Sequence, residues 1–151
     1  MIIDISRIGA RHELALATFF LHIAADPAAH FFHPHPFTTT EAHRVSSHHG
    51  DDLYVLMSWG IDPIGYGMLR GWDAGFELPS LGIYISAAFR GTGTARLLMD
   101  YLHLVAKLRG ARGIRLKVHV ENRAAIRLYE RLGYRFGEEL DEGQLVGIYR
   151  V

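Results

Sequence analysis

The sequence predicts a single-domain α/β fold of the α+β kind, and three observations carry that reading. First, Leu81 to Ser86 is a short apolar run that ends in a glycine-bearing turn. From about Thr94, apolar residues then recur at Leu98, Tyr101, Leu102, Val105 and Leu108, a helical stripe that Gly110 closes. Second, another strand and helix follow. Ile114, Leu116, Val118 and Val120 alternate as in a strand, Asn122 stands where a helix N-cap belongs, and Gly133 stands where that helix stops. Third, the chain has 151 residues, 49% of them hydrophobic and 21% charged, which suits one globular domain spanning 1–151.

The elements follow in order. Ile2, Ile3 and Ile5 suggest an opening strand. A helix is expected from Arg11 to Ala25, with Leu14, Ala17, Phe20, Leu21 and Ala24 as its apolar stripe, ended by Asp26-Pro27. Ala28 to Thr40 is irregular, and Thr38, Thr39 or Thr40 caps a second helix that ends near Gly50. Glu41 stands in capping-box register with Thr38. Leu53 to Ser58 and Ile64 to Arg70 read as strands joined by a turn with Gly60, Asp62 and Pro63. The loop Gly71 to Phe76 leads to the strand at Leu81. After the helix stop at Gly133 a short strand reaches Phe136, Gly137 to Gly143 reads as an acidic loop, and Gln144 to Val151 is the last strand. The order is β-α-α-β-β-β-α-β-α-β-β, with no internal repeat.

Composition excludes several classes of function. The formal net charge is zero, so no global basic field draws in nucleic acid or an anionic membrane, although a local basic patch is allowed. Cysteine is absent, which removes disulfides, thiolate nucleophiles and Cys-ligated zinc. The Met1 end lacks a signal-peptide pattern, and no apolar run reaches the length of a membrane span. The expectation is a soluble cytoplasmic protein without nucleic-acid or membrane partners, with a homodimer left open.

The chemistry concentrates at Arg90-Gly91-Thr92-Gly93-Thr94-Ala95, between strand and helix. Two glycines leave the backbone bare, and a helix N-terminus offers unpaired N–H donors and partial positive charge, which suit a pyrophosphate. Arg90 would add a full charge and a donor fork. A ligand-free glycine turn fits the same residues. A Rossmann dinucleotide turn does not, because its third glycine position holds Arg96 and Ala87 to Arg90 separate strand from glycines.

Arg90, Gly93 and Ala95 together follow an Arg/Gln-x-x-Gly-x-Gly/Ala pattern, and Asn122-x-x-Ala125-x-x-Leu128-Tyr129-Glu130-x-x-Gly133-Tyr134 follows it in order. This pair of motifs resembles the GNAT (GCN5-related) N-acetyltransferases over Ser80 to Phe136; the first half agrees only in element order. The resemblance implies a mixed, mostly antiparallel sheet of about seven strands with four helices, splayed between the fourth and fifth strands. It implies acetyl-CoA as cosubstrate and an amine acceptor, an amino-sugar, small amine or peptide N-terminus. The cofactor would be held by Arg90, Gly91, Thr92, Gly93, Thr94, Ala95, Asn122 and the backbone of Ile83, Tyr84 and Ile85. Tyr129 takes the place of the general acid that protonates the leaving thiolate, against the plainer reading of a packed core aromatic.

For the base, several family members use a Glu at a slot that here holds Pro79. Glu77, two residues earlier and on the same side of an extended strand, is preferred over His119, with a solvated loop acid as the plain alternative. Seven of the ten histidines fall between His22 and His49, but Pro34 and Pro36 break up His30, His33 and His35, so no metal is expected. Phe31, Phe32 and Phe37 suggest apolar closure over a site, with Trp72 and Phe76 opposite. A GNAT-fold domain that binds acetyl-CoA as a sensor or assembly module, without turnover, is the alternative of another class.

Overall fold

The computed structural model describes residues 1–151. Seven strands form one sheet: β1 (Ile3–Arg7), β2 (Leu53–Trp59), β3 (Asp62–Arg70), β4 (Ser80–Ile85), β5 (Gly113–His119), β6 (Arg135–Asp141) and β7 (Gln144–Arg150). Four helices complete it: α1 (Glu13–Ala25), α2 (Thr39–Ser46), α3 (Thr94–Leu108) and α4 (Arg123–Leu132). The strand order is β1-β2-β3-β4-β5-β7-β6, and every neighbouring pair is antiparallel except β4 with β5. This is the mixed sheet with four helices that the motifs imply. No helix is long and apolar enough to cross a membrane.

Alternation along the strands divides the interior into two cores. Val55, Met57, Leu69 and Ile114 face α3, which contributes Leu98, Met99, Leu102 and Ala106. On the other face Tyr54, Leu56, Tyr66 and Met68 meet Leu16, Phe20 and Ile23 of α1 and Val45 of α2. Strands β2 and β3 are thus covered on both sides, which is why both read as nearly continuous apolar runs.

β4 and β5 barely touch as strands. Their ladder contains a single register pair, Ser80 with Arg115, closed by the Arg115 N–H donating to Pro79 O at 2.9 Å. Beyond that point the strands part. The sheet is splayed between its fourth and fifth strands, as the resemblance requires.

Several sequence expectations shift in detail. α1 buries Leu16, Phe19, Phe20 and Ile23, whereas Leu14 and Leu21 are 81% and 57% exposed. The helix is apolar nearly all round, so two stripes compete, and the one carrying both phenylalanines removes more area from water. Residues Ala10–His12 form a separate 3₁₀ turn ahead of it. In α3, Met99 and Ala106 take buried places, and Leu108 is exposed.

α2 stops at Ser46 rather than near Gly50. The Asp73 carboxylate accepts the N–H groups of Asp51 and Asp52, giving that backbone partners outside a helix. The acidic stretch after Phe136 is mostly strand, not loop, because β6 is a sheet edge where exposed Glu138 and Glu139 face water. Glu142 and Gly143 then close a tight hairpin with positive φ at both residues, 52° and 77°.

Candidate active site

Where β4 and β5 separate, a cleft of about 640 Å³ opens. Gly82 to Ile85 of β4 form one wall, and Val118 with Asn122, Ala125, Leu128 and Tyr129 forms the other. The stretch after α1, expected to be irregular, begins with a 3₁₀ turn over Pro27–Phe31 that Asp26 caps; it and the loop beyond supply Phe31, Phe32 and Pro34 as the cleft's cover. Phe32 fits because Gly82 has no side chain: a Cβ there would lie 3.2 Å from the ring. The cleft's size is that of a small-molecule or cofactor site.

At the C-terminal end of β4 stands the glycine turn. Gly91 and Gly93 adopt φ of 75° and 93°, a region that penalises any side chain, and nothing lies within 4 Å of where a Cβ would project. Gly93 is the N-cap of α3, and no side chain caps that terminus, so its first N–H groups remain available. The Thr92 and Thr94 hydroxyls donate to Phe89 O at 2.5 and 2.8 Å and hold the turn in shape from behind.

Arg90 lies on the cleft lining but is committed elsewhere. Its Nε donates to Ile85 O at 3.0 Å, a terminal nitrogen donates to the Asp26 carboxylate at 2.5 Å, and the guanidinium lies 5.5 Å from the Tyr84 ring centre. Tyr84 also donates its hydroxyl to Asp26, at 2.6 Å. Burial of Asp26 opposes its charge, but the bonds from Tyr84, the Ala28 N–H and Arg90 outweigh it, so the carboxyl sits below its usual range. This cluster ties the end of α1 to β4 and the turn. No local pattern announces it, because the partners are 58 and 64 residues apart.

Tyr129 sits half-buried in the α4 wall of the cleft, on the face it shares with Asn122 and Ala125. Its hydroxyl has no hydrogen-bond partner in the fold and is not sealed from water. Desolvation pushes the phenol up to about 12, so it holds its proton throughout the neutral range. Behind it, Tyr134 packs at 5.8 Å between ring centres, and its hydroxyl meets His103 Nε2 at 2.7 Å. Asn122 caps α4 by accepting the Ala125 N–H at 3.4 Å, and it also lines the cleft.

Other expected residues lie apart. Glu77 is exposed in the loop before β4 and does not line the cleft. His119 accepts the Glu121 N–H at 3.1 Å and packs on Phe31, ring centres 5.0 Å apart, without lining the cleft. Trp72 packs against Arg109 at 4.8 Å, away from the cleft, and Phe76 borders a shallow hollow that adjoins the cleft at Arg70 and Ser80. Phe37 joins the core around Phe20. His35 belongs to the same aromatic group: its ring lies among Phe20, Phe37 and Tyr66, and it meets the Tyr66 hydroxyl at 2.9 Å.

The far end of the cleft holds residues that sequence reasoning missed: Arg70, Ser80, Arg115, Lys117, Glu142 and Gln144. Arg115 and Lys117 alternate with buried Ile114, Leu116 and Val118, so the strand pattern marked them as the outward face. Only the splay turns part of that face into a cleft floor.

A family model described as the acetyltransferase (GNAT) family matches residues 17–134. The chain belongs to the GNAT acetyltransferase family. Among curated proteins no sequence matches it. Solved structures share its fold. The GNAT domain of S. lividans PAT aligns with 20% identity and a TM-score of 0.84, over 99% of this chain and 90% of that one. An N-acetyltransferase from Staphylococcus aureus Mu50 aligns with 20% identity and a TM-score of 0.71, over 100% and 98%. The PaiA N-acetyltransferase from Thermoplasma acidophilum, in complex with coenzyme A, aligns with 16% identity and a TM-score of 0.76, over the whole of both chains. GNAT acetyltransferases use acetyl-CoA, and this chain is accordingly an acyltransferase of the N-acetyltransferase type.

Proposed function

We propose that the protein transfers the acetyl group of acetyl-CoA to a primary amine, of a small molecule or a peptide N-terminus, by direct attack in a ternary complex. The observation that carries this reading is the splay. It leaves β4 without a strand partner beside Tyr129, and it ends at a bare glycine turn. Backbone N–H groups from Gly91 to Ala95 take the pyrophosphate. The free edge from Ile83 to Ile85 pairs with the pantetheine amides, and Asn122 borders the same arm. Arg90 acts chiefly by fixing the turn through Asp26 and Ile85.

With the thioester in the cleft, the amine nitrogen attacks the acetyl carbonyl, forming the N–C bond as the C–S bond breaks. Tyr129 gives its proton to the departing sulfur, a role that suits a phenol still protonated at neutral pH, and the phenol is restored by the proton that the newly acylated nitrogen sheds as the amide forms. The amine must shed a proton first. Glu142 is the carboxylate on the cleft lining, and it takes that proton through water. Glu77, in the exposed loop, is left as the competing base. The family's coenzyme A relative and the cleft's dimensions support the donor.

The test is thiol release from acetyl-CoA in the presence of a panel of amines, with acetyl-CoA binding measured in parallel by calorimetry. Release that depends on amine supports the transferase. Tight acetyl-CoA binding with silence across the panel would favour an acetyl-CoA-binding module without turnover.

A further inference from the structure

The acceptor end of the cleft is more specific than its apolar cover suggests. Arg70 of β3 pairs in register with Ser80 of β4, and Ser80 pairs with Arg115 of β5. Residues in register across neighbouring strands point to the same face, so Arg70, Ser80 and Arg115 form one row on the cleft floor. Their outer Cα atoms stand about 10 Å apart, two strand spacings, so two guanidinium forks flank a small hydroxyl. Lys117, two residues beyond Arg115, lies on the same face.

The balance of charge in this row is incomplete. Arg115 and Lys117 share the Asp141 carboxylate, and Lys117 also reaches Glu142 at 3.3 Å. Arg70 has no carboxylate partner; its one bond is to Pro34 O, at 2.8 Å. The acids that line the adjoining hollow with it are already engaged. Glu41 pairs with Arg44, Asp52 accepts the N–H groups of Gly71 and Asp73, and Asp73 accepts those of Asp51 and Asp52. A half-buried guanidinium with unused donors, facing a cleft, is a seat for an oxyanion.

Pyrophosphate does not fill this role. The turn at Arg90 to Ala95 lies past Ile85, and Ser80 is five residues back along β4, roughly 16 Å away at an extended rise. The row therefore stands at the end where the acceptor enters.

We infer that the acceptor is an amine that also carries an anionic group, carboxylate or phosphate, bound between Arg70 and Arg115 over Ser80. This rests on the transferase reading for what the acceptor does, but the anion seat can be judged without it. Phe31 and Phe32 would cover the aliphatic part between amine and anion.

The experiment uses the full chain, acetyl-CoA and paired amines compared at equal concentrations of free base. The pairs are β-alanine against β-alaninamide and aminoethyl phosphate against ethanolamine, with kcat/KM read by thiol release. In wild type the anionic member of at least one pair leads by roughly tenfold or more, as a charge-assisted fork provides. Which pair shows it separates carboxylate from phosphate. Arg70→Gln brings the ratio toward one, and Ser80→Asp inverts it, which guards against a folding defect in either variant alone. Ratios near one in both pairs of wild type overturn the seat, while their turnover still upholds the N-acetyltransferase. If no amine turns over, the N-acetylated pairs are titrated into the CoA-bound protein by calorimetry. Tighter binding of the anionic product, lost in Arg70→Gln, upholds the seat although the transferase reading fails; equal affinities overturn it.

Discussion

Replacing Tyr129 by Phe removes one oxygen and little else. The ring keeps its contact with Tyr134, and the lost hydroxyl had no hydrogen-bond partner in the fold, so stability should change by less than about 0.5 kcal/mol. Kinetics should not be spared. A general acid typically contributes ~10²–10⁴-fold, equivalent to about 3–5 kcal/mol of barrier, and that loss should fall on kcat with acetyl-CoA affinity nearly unchanged. The pH profile adds a second check. Burial lifts the phenol to about 12, so in wild type no basic limb should arise from Tyr129 below pH 10 or so. Stopped-flow thiol detection for kcat, calorimetry for acetyl-CoA and thermal unfolding for stability separate these effects. An unaltered kcat in a folded variant would make Tyr129 a cleft wall and nothing more.

Three further outcomes follow from the same geometry. Gly93→Asp places a carboxylate at the uncapped start of α3 at φ 93°, and should abolish acetyl-CoA binding by calorimetry. Because the space beside it is open, the variant should stay folded at a strain of about 1–2 kcal/mol. Glu142→Gln should lower kcat/KM most at low pH, recovering toward the amine's own pKa, whereas Glu77→Gln should superimpose on wild type; the opposite pattern would return the base to the loop. Asp26 has a folded pKa below its unfolded value of about 3.9, so its contribution is present above that pH and lost as pH falls through the folded value. Asp26→Asn should therefore flatten the acid limb of a stability–pH curve, and an unchanged limb would show that the bonds to Tyr84 and Arg90 carry no net stabilisation.

The sequence was most legible where one residue governs one local shape. Gly93 and Gly133 mark helix ends through their left-handed φ, and Asn122 marks a start through its side-chain cap. Alternation from Ile114 to Val118 marks a strand. What stayed hidden depends on encounters between distant segments. Nothing near Arg90 reveals that Asp26 will take its guanidinium, and nothing near Arg70 reveals that Ser80 and Arg115 will line up beside it. The stripe of α1 failed for a different reason: an almost wholly apolar helix has no polar face to orient it, so packing volume decides.

The parting of β4 and β5 gives this sheet two more free borders than its seven strands would suggest. Amides and carbonyls along Leu81 to Ile85 and Leu116 to His119 lack a ladder partner on that side, the kind of border that templates intermolecular β-pairing. Here it is recessed, roofed by Phe31 and Phe32 and walled by α4, so another chain cannot easily reach it. The roof part of that shielding rests on a single 3₁₀ turn and the loop beyond it rather than on a long helix or a strand. A molecule that zips along β4 would close the gap from within, and the empty protein should be the more aggregation-prone and the more readily exchanging of the two states, with the difference concentrated on these two strands.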